Sequence, residues 1–133
     1  MSGIVGVFNL DARPAEDALL ARMSAALRHR GPDGEGRRVA GPAGLAWQHL
    51  WVTAEETGEV QPLVGRSGAM LVMDGRLDNR DELLGALELP RASSDTGCVL
   101  AAYETWGEQF AERLNGDFAL AVFDPRQSRL LLA

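Results

Sequence analysis

The sequence contains no lysine, so all 13 of its cationic side chains are arginines. This absence excludes lysine Schiff-base chemistry and a P-loop lysine. The cations are outnumbered by 19 carboxylates, which gives a formal net charge of −6 and a pI near 4.8. A chain with this balance does not favour binding to the phosphates of DNA or RNA. We therefore expect no nucleic-acid partner.

Cysteine and histidine are also scarce. Cys98 is the only cysteine, so an intrachain disulfide is impossible and the cytoplasm is the expected compartment. A two-cysteine zinc site is excluded for the same reason, and His29 and His49 alone form a poor set of metal ligands. No apolar run is long enough to cross a membrane, and the first residues lack the basic segment of a secretory signal. We expect neither a metal nor a membrane partner.

The pattern of the 133 residues is that of one globular domain, with 46% hydrophobic side chains. Short apolar runs predict strands buried on both faces, over residues 3–9, 67–73 and 117–123, and residues 129–133 are expected to form the return strand of a hairpin. Amphipathic stretches predict helices over residues 14–28, 79–87 and 94–106, the last capped by Ser94. Close spacing of the strands favours antiparallel pairing. Together these features predict an α+β fold in which two sheets pack face to face between outer helices.

Glycine marks three predicted connections. Residues 33–38 are glycine-rich and predict a loop, and residues 38–40 and 44–52 are expected to pair across a turn at 41–43. Asp74-Gly75 is expected to turn the chain after the strand at 67–73.

Four short segments are more specific when their order and spacing are taken together. They are residues 1–8 (MSGIVGVF), 29–34 (HRGPDG), 94–96 (SDT) and 106–107 (WG) followed by 114–121 (LNGDFALA). Across the whole chain they resemble the N-terminal glutaminase domain of asparagine synthetase, a class II glutamine amidotransferase. The resemblance implies one amidotransferase domain over residues 1–133. Its fold would be that of an N-terminal-nucleophile hydrolase, a four-layer αββα sandwich with mostly antiparallel sheets, here C-terminally truncated.

The resemblance places Ser2 at the nucleophile position. In the family this residue is a cysteine, whose thiol attacks the glutamine amide after the initiator methionine is removed. The freed α-amine acts as general base, with a pKa of about 7.7–8.0. A hydroxyl is a weaker nucleophile near neutrality, because only cysteine is partly ionised there. Other N-terminal-nucleophile hydrolases use Ser or Thr, so Ser2 by itself leaves activity and inactivity equally open.

The resemblance also assigns the binding residues of the pocket, and most of them differ from the family. His49 replaces the arginine that clamps the glutamine α-carboxylate. Asp74 replaces the asparagine of the oxyanion hole, while Gly75 still offers its backbone N–H. Arg76 replaces an acidic residue that helps to hold the substrate. Asp95 matches the aspartate that binds the substrate α-amine.

These departures favour a glutaminase-type domain of an asparagine synthetase family protein with a vestigial pocket and weak or no glutamine hydrolysis. In character it is similar to the lasso-peptide cyclase and β-lactam synthetase branch, whose synthetase domains close an amide without ammonia. Two alternatives stay open. The first is an active amidohydrolase with Ser2 as nucleophile, acting on glutamine or a similar amide. The second is a non-catalytic interaction module that uses His49 and Arg76 to sense an anion.

Members of this family continue past the matched segment with further strands and an ATP-using synthetase domain. We therefore expect no cofactor in this domain, with ATP and Mg²⁺ bound only by a synthetase domain. That domain is the expected partner, either in cis or in trans.

The apolar residues 129–133 predict self-association of the isolated chain. The strand they form would leave an apolar edge and face open to a second copy, as in a homo-oligomer. Sedimentation should therefore show association or marginal stability. A strict and stable monomer at high concentration would contradict this expectation.

Overall fold

In the computed structural model, which describes residues 2–52, 54 and 56–133, two antiparallel sheets pack face to face. The first sheet has the strand order β1–β3–β2 and contains β1 (Gly3–Phe8), β2 (Gly34–Ala40) and β3 (Ala43–His49). The second has the order β4–β5–β6–β7 and contains β4 (Leu63–Val64), β5 (Met70–Leu77), β6 (Gly116–Asp124) and β7 (Arg129–Leu132). All pairings between these strands are antiparallel, as predicted.

Helices cover the outer face of each sheet. Helix α1 (Asp17–Ala26) packs on β1 and β3 and is followed by a 3-10 turn at Arg28–Arg30. Helices α2 (Arg80–Ala86) and α3 (Asp95–Trp106) cover the second sheet, and a 3-10 segment at Gly107–Arg113 follows α3. The result is the predicted four-layer αββα arrangement.

The core between the sheets follows from the alternation of side chains along each strand. In β5, Met70 and Val72 face the first sheet, while Leu71 and Met73 face α3. All four are buried, which confirms the prediction of strands that are apolar on both faces. The Ser94 cap is also confirmed, since its Oγ accepts the backbone N–H of Gly97 at 3.1 Å.

Three sequence-based assignments were wrong. The predicted loop at 33–38 is mostly strand β2, where Gly36 lets the backbone of Gln61 approach too closely for any Cβ. The predicted turn at Asp74-Gly75 lies inside β5, with both residues paired to β6. Gly75 has φ +139°, and a Cβ there would collide with the backbone of Asp117, so this glycine marks a tight strand rather than a turn. Helix α1 is also shorter than the predicted 14–28.

Asp124 is a buried carboxylate at the start of the β6–β7 hairpin. It accepts hydrogen bonds from the Tyr103 hydroxyl at 2.8 Å and from the Arg126 guanidinium and backbone N–H at 2.8 and 2.9 Å. The hydrogen bond from the Arg126 side chain is the main reason why the pKa of Asp124 falls to about 2. Burial, together with this carboxylate, raises the pKa of Tyr103 to about 12.

We expect Asp124→Asn to destabilise the fold at neutral pH and by roughly half as much at pH 3. Because the folded-state pKa of Asp124 lies near 2 and the unfolded value near 3.8, its stabilisation is present above about pH 4 and is lost as the pH falls towards 2. The pKa difference corresponds to about 2 kcal/mol at pH 7. Urea unfolding at pH 7 and pH 3 measures the difference in free energy of unfolding between the unmodified chain and the variant. Glu112→Gln, at an exposed carboxylate, is the control. An equal loss at both pH values would contradict this origin.

Candidate functional site

Six residues that the sequence singled out lie around one cavity of about 280 Å³: Ser2, His49, Asp74, Gly75, Arg76 and Asp95. They come from the residue before β1, the end of β3, the second half of β5 and the first turn of α3. The cavity therefore opens where the two sheets and the start of α3 meet.

Ser2 is 5% exposed, and each of its polar atoms has a partner. Its backbone nitrogen donates to Asp74 Oδ1 at 2.9 Å, and its carbonyl oxygen accepts from Arg30 Nε at 3.0 Å. Its Oγ lies 2.9 Å from His49 Nδ1 and accepts the backbone N–H of Leu50 at 3.2 Å. These contacts hold the hydroxyl in a single position at the cavity wall.

The imidazole of His49 is packed between two indoles. It stacks on Trp47 with ring centroids 4.1 Å apart, and it meets Trp51 in an edge-to-face arrangement with ring centroids 6.2 Å apart. Burial lowers the pKa of His49, although four carboxylates oppose this shift: Glu56, Glu59, Asp33 and Asp74. Among the described residues, no group lies within hydrogen-bonding distance of Nε2. The ring is therefore neutral near pH 7 and offers its Nδ1 only to Ser2.

The carboxylate of Asp74 faces the backbone nitrogen of Ser2. Besides accepting from Ser2, its Oδ2 lies 4.0 Å from Arg30 Nη2. An ionised carboxylate offers only acceptors, so at this position the cavity presents acceptors to any ligand oxygen.

Asp95 and Arg76 are both engaged by neighbouring residues. Asp95 Oδ2 accepts the backbone N–H of Leu77 at 2.7 Å, and Oδ1 lies 3.3 Å from Arg80 Nε. Burial raises the pKa of Asp95, while these two donors oppose that shift. Arg76 has a side chain that is 73% exposed, and its Nε lies 3.3 Å from Asp78 Oδ1. Its guanidinium is thus held by Asp78 at the surface.

Several residues at this site were not predicted from the sequence, and two of them, Arg30 and Gln61, bind its other members. Arg30 belongs to the HRGPDG segment, which was singled out, but its contact with Ser2 was not foreseen. Gln61 spans the cavity wall, since its Oε1 accepts from Met73 N at 2.7 Å and its Nε2 donates to Thr96 Oγ1 at 3.1 Å. Nothing in the local sequence distinguishes Gln61 from an ordinary loop residue.

The HRGPDG segment is fixed against the end of β3. Asp33 N donates to His49 O at 2.9 Å, and Asp33 Oδ2 accepts from Trp51 N at 3.1 Å. Gly31 lies so close to Gln48 and His49 that a Cβ would collide with their backbone. The segment thereby holds His49 beside the cavity and brings Arg30 to Ser2.

In the described part of the chain, no helix is long and apolar enough to cross a membrane. Nor does any group of three or more His, Cys, Asp or Glu side chains there have an arrangement suited to a metal ion.

Comparisons with known proteins agree with this architecture. A family model described as a glutamine amidotransferase domain matches residues 1–133. Glutamine-hydrolysing asparagine synthetase 2 of Oryza sativa subsp. japonica is 31% identical over 137 residues, and the match covers 100% of this chain and 23% of that protein. The glutamine-hydrolysing asparagine synthetase 2 of Bacillus subtilis (strain 168) is 28% identical over 138 residues. That match covers 99% of this chain and 18% of that protein. The chain thus spans less than a quarter of the length of these relatives.

A solved structure shows the same fold. Glutamine phosphoribosylpyrophosphate amidotransferase from B. subtilis superposes with a TM-score of 0.70 at 18% sequence identity, over 93% of this chain and 35% of that one. The family model matches the whole sequence, and the two sheets with their outer helices agree with it. The chain therefore belongs to the glutamine amidotransferase domain family.

Proposed function

We propose that this domain is the glutaminase-type domain of an asparagine synthetase family protein and that it does not hydrolyse glutamine at a detectable rate. The observation that carries the proposal is the carboxylate of Asp74, which faces the Ser2 nitrogen and Arg30. Amide hydrolysis builds negative charge on the former carbonyl oxygen, which must meet hydrogen-bond donors. Loss of one such donor costs about 10²–10³ in rate, and a carboxylate in its place adds repulsion.

Capture of the glutamine α-carboxylate is weakened as well. Arginine would offer a charged, two-pronged donor, whereas the imidazole of His49 is neutral and has its Nδ1 against Ser2. Arg76 does not compensate, because its guanidinium pairs with Asp78.

The α-amine also has a poor environment for general-base work. Once Met1 is removed, the Ser2 nitrogen that now donates to Asp74 Oδ1 at 2.9 Å becomes an ammonium group. A carboxylate at that distance favours the protonated form, which cannot accept the proton of the Ser2 hydroxyl.

The test is release of ammonia from glutamine by the unmodified chain. We expect none above the level of the Ser2→Ala variant. Robust hydrolysis that Ser2→Ala abolishes would overturn the proposal and establish the alternative of an active serine-nucleophile amidohydrolase.

We predict that Met1, which lies outside the described residues, is removed in the cell. The reason is the small side chain of Ser2, which follows it. Intact mass spectrometry of the chain measures this directly. A retained Met1 would exclude the N-terminal-amine mechanism altogether.

We further propose that the partner of this domain is a synthetase domain, in cis or in trans, which binds the ATP and Mg²⁺. The relatives named asparagine synthetase support this pairing. The altered pocket supports a parent enzyme of the lasso-peptide cyclase or β-lactam synthetase kind, which forms its amide without ammonia from glutamine. Product formation by the parent enzyme with glutamine omitted tests this. The lone, buried Cys98 supports a cytoplasmic location.

A further inference from the structure

We propose that Ser2 and His49 form a serine–histidine dyad that accepts acyl groups from small neutral or cationic esters. In this dyad His49, and not the α-amine of residue 2, takes the proton of the Ser2 hydroxyl. The proposal goes beyond the one above, because it concerns acyl donors that lack the glutamine carboxylate and does not require an exposed N-terminus.

The geometry around the Ser2 hydroxyl carries this inference. Its Oγ is 2.9 Å from His49 Nδ1, within the range of a direct proton transfer. The Leu50 N–H donates to the same Oγ at 3.2 Å, so this contact occupies an acceptor position of the oxygen and leaves its proton for the imidazole. With the ring proton on Nε2, the hydroxyl donates to Nδ1. Both residues line the cavity, so the oxygen can meet an acyl carbon there.

Burial of His49 keeps its resting ring neutral, and two features of its surroundings offset part of the cost of the imidazolium that proton transfer would create. The ring stacks on Trp47 at 4.1 Å, and an indole face attracts a cation. The carboxylates of Asp33, Asp74, Glu56 and Glu59 all act in the same direction, while burial of the ring acts against them and is the larger effect. Arg30, bound to the Ser2 carbonyl, is a nearby positive charge. The ring is therefore neutral at rest, as a general base must be, and has partners that offset part of the cost when it gains a proton.

The proposed step balances as follows. The Ser2 Oγ–H proton moves to His49 Nδ1 while an Oγ lone pair forms a bond to the acyl carbon. The carbonyl π electrons move to oxygen, then return as the bond to the leaving alkoxide or phenoxide breaks. Asp74 disfavours this oxyanion as it does that of glutamine, so the donors are activated esters, whose good leaving groups lower the barrier that an amide would face. The leaving group departs, as a phenoxide or with the His49 proton, and an ester on Ser2 remains. Water, deprotonated by His49, later hydrolyses that ester.

The charge of the cavity sets the class of acyl donor. Among the described residues, its lining includes five carboxylates, Glu56, Glu59, Asp74, Asp95 and Asp117, and one guanidinium, that of Arg76, which pairs with Asp78. Anionic donors are therefore repelled. This charge balance also argues against the anion-sensing alternative drawn from the sequence.

The experiment uses p-nitrophenyl acetate as the acyl donor. We expect a burst of p-nitrophenolate, and peptide mapping after an acid quench should place one acetyl group on Ser2. Ser2→Ala should abolish the burst, and His49→Gln should slow it by about 100-fold, the scale of general-base catalysis. His29→Gln is the matched control, because His29 is the other histidine and is exposed, and it should leave the burst unchanged.

A version with a peptide tag before Met1 separates the two candidate bases. It should acylate at the same rate as the untagged chain, because its Ser2 has no free α-amine. The rate for the unmodified chain should rise with pH as His49 loses its proton, with a midpoint below the ordinary pKa of histidine because burial lowers it. An α-amine base would instead place the midpoint at about 8. Loss of labelling in the tagged version, insensitivity to His49→Gln, or no labelling of the folded chain would each overturn the dyad.

A second donor tests the charge preference. The anionic donor is 4-acetoxybenzenesulfonate. Its rate of Ser2 acetylation, divided by its rate of hydrolysis by hydroxide, should be at least 10-fold lower than the same ratio for neutral p-nitrophenyl acetate. Equal normalised rates would overturn the assignment to neutral or cationic donors. Neither result depends on whether glutamine is hydrolysed, so failure here and failure of the proposed function are distinguishable.

Discussion

The variant that combines Ser2→Cys, His49→Arg, Asp74→Asn and Arg76→Glu should release ammonia from glutamine, whereas the unmodified chain should not. Each change restores the residue type that the family uses at that position. We expect a gain of at least 100-fold over the background of the unmodified chain, since one oxyanion donor alone is worth about 10²–10³ in rate.

Asp74→Asn should contribute most to this gain. An asparagine keeps an oxygen that accepts the Ser2 N–H and adds an N–H₂ group that donates to the oxyanion. It also removes the carboxylate that holds the α-amine in its protonated form. His49→Arg should rank second, because it supplies the charged fork for the substrate carboxylate.

Ser2→Cys alone should not restore ammonia release, because Asp74 would still occupy the oxyanion position and accept from the nitrogen of residue 2, and the carboxylate clamp would still be missing. This single variant is therefore the control for the combined one. The assay should be run in this chain and in a fusion to the segment that follows the matched region in the rice relative. Full activity of Ser2→Cys by itself, or inactivity of the folded combined variant in both backgrounds, would show that these four positions do not explain the loss.

Much of the fold and the place of the site could be predicted from the sequence. Runs that are apolar on both faces predicted β5 and β6, and the capping residue Ser94 predicted the start of α3. These predictions succeeded because each signal lies within the element that it marks. The residues that the resemblance in the sequence assigned to the pocket line one cavity: Ser2, His49, Asp74, Gly75, Arg76 and Asp95.

The rest depended on contacts between distant segments. The glycines at 34 and 36 suggested a loop, yet both lie in strand β2. Position 36 is a glycine because the backbone of Gln61 packs against it. Gly75 likewise suggested a turn. It lies inside a strand instead, and the backbone of Asp117 leaves no room for a side chain there. The hydrogen bond between Ser2 and His49 joins residues 47 positions apart, and neither residue carries a local sign of the other.

Gly31→Ala should destabilise the protein by about 3 kcal/mol, the upper range for an inserted methyl group in a packed site. The cause is proximity and not backbone conformation, since φ at Gly31 is −145°. A Cβ would run into the backbone of Gln48 and His49, so the turn at Arg28–Arg30 would have to move away from β3. The bond from Arg30 to the Ser2 carbonyl and the bond from Asp33 to His49 would lengthen with it.

Gly85→Ala is the matched control for this prediction. Gly85 lies inside α2, where a Cβ would meet nothing within 4 Å. Because alanine is the better helix former, this variant should gain about 0.5–1 kcal/mol. Urea unfolding measures both free energies. A Gly31→Ala variant within about 0.5 kcal/mol of the unmodified chain, the scale of a neutral surface change, would mean that the segment adapts without cost. The HRGPDG segment would then not be what holds His49 and Arg30 at the cavity.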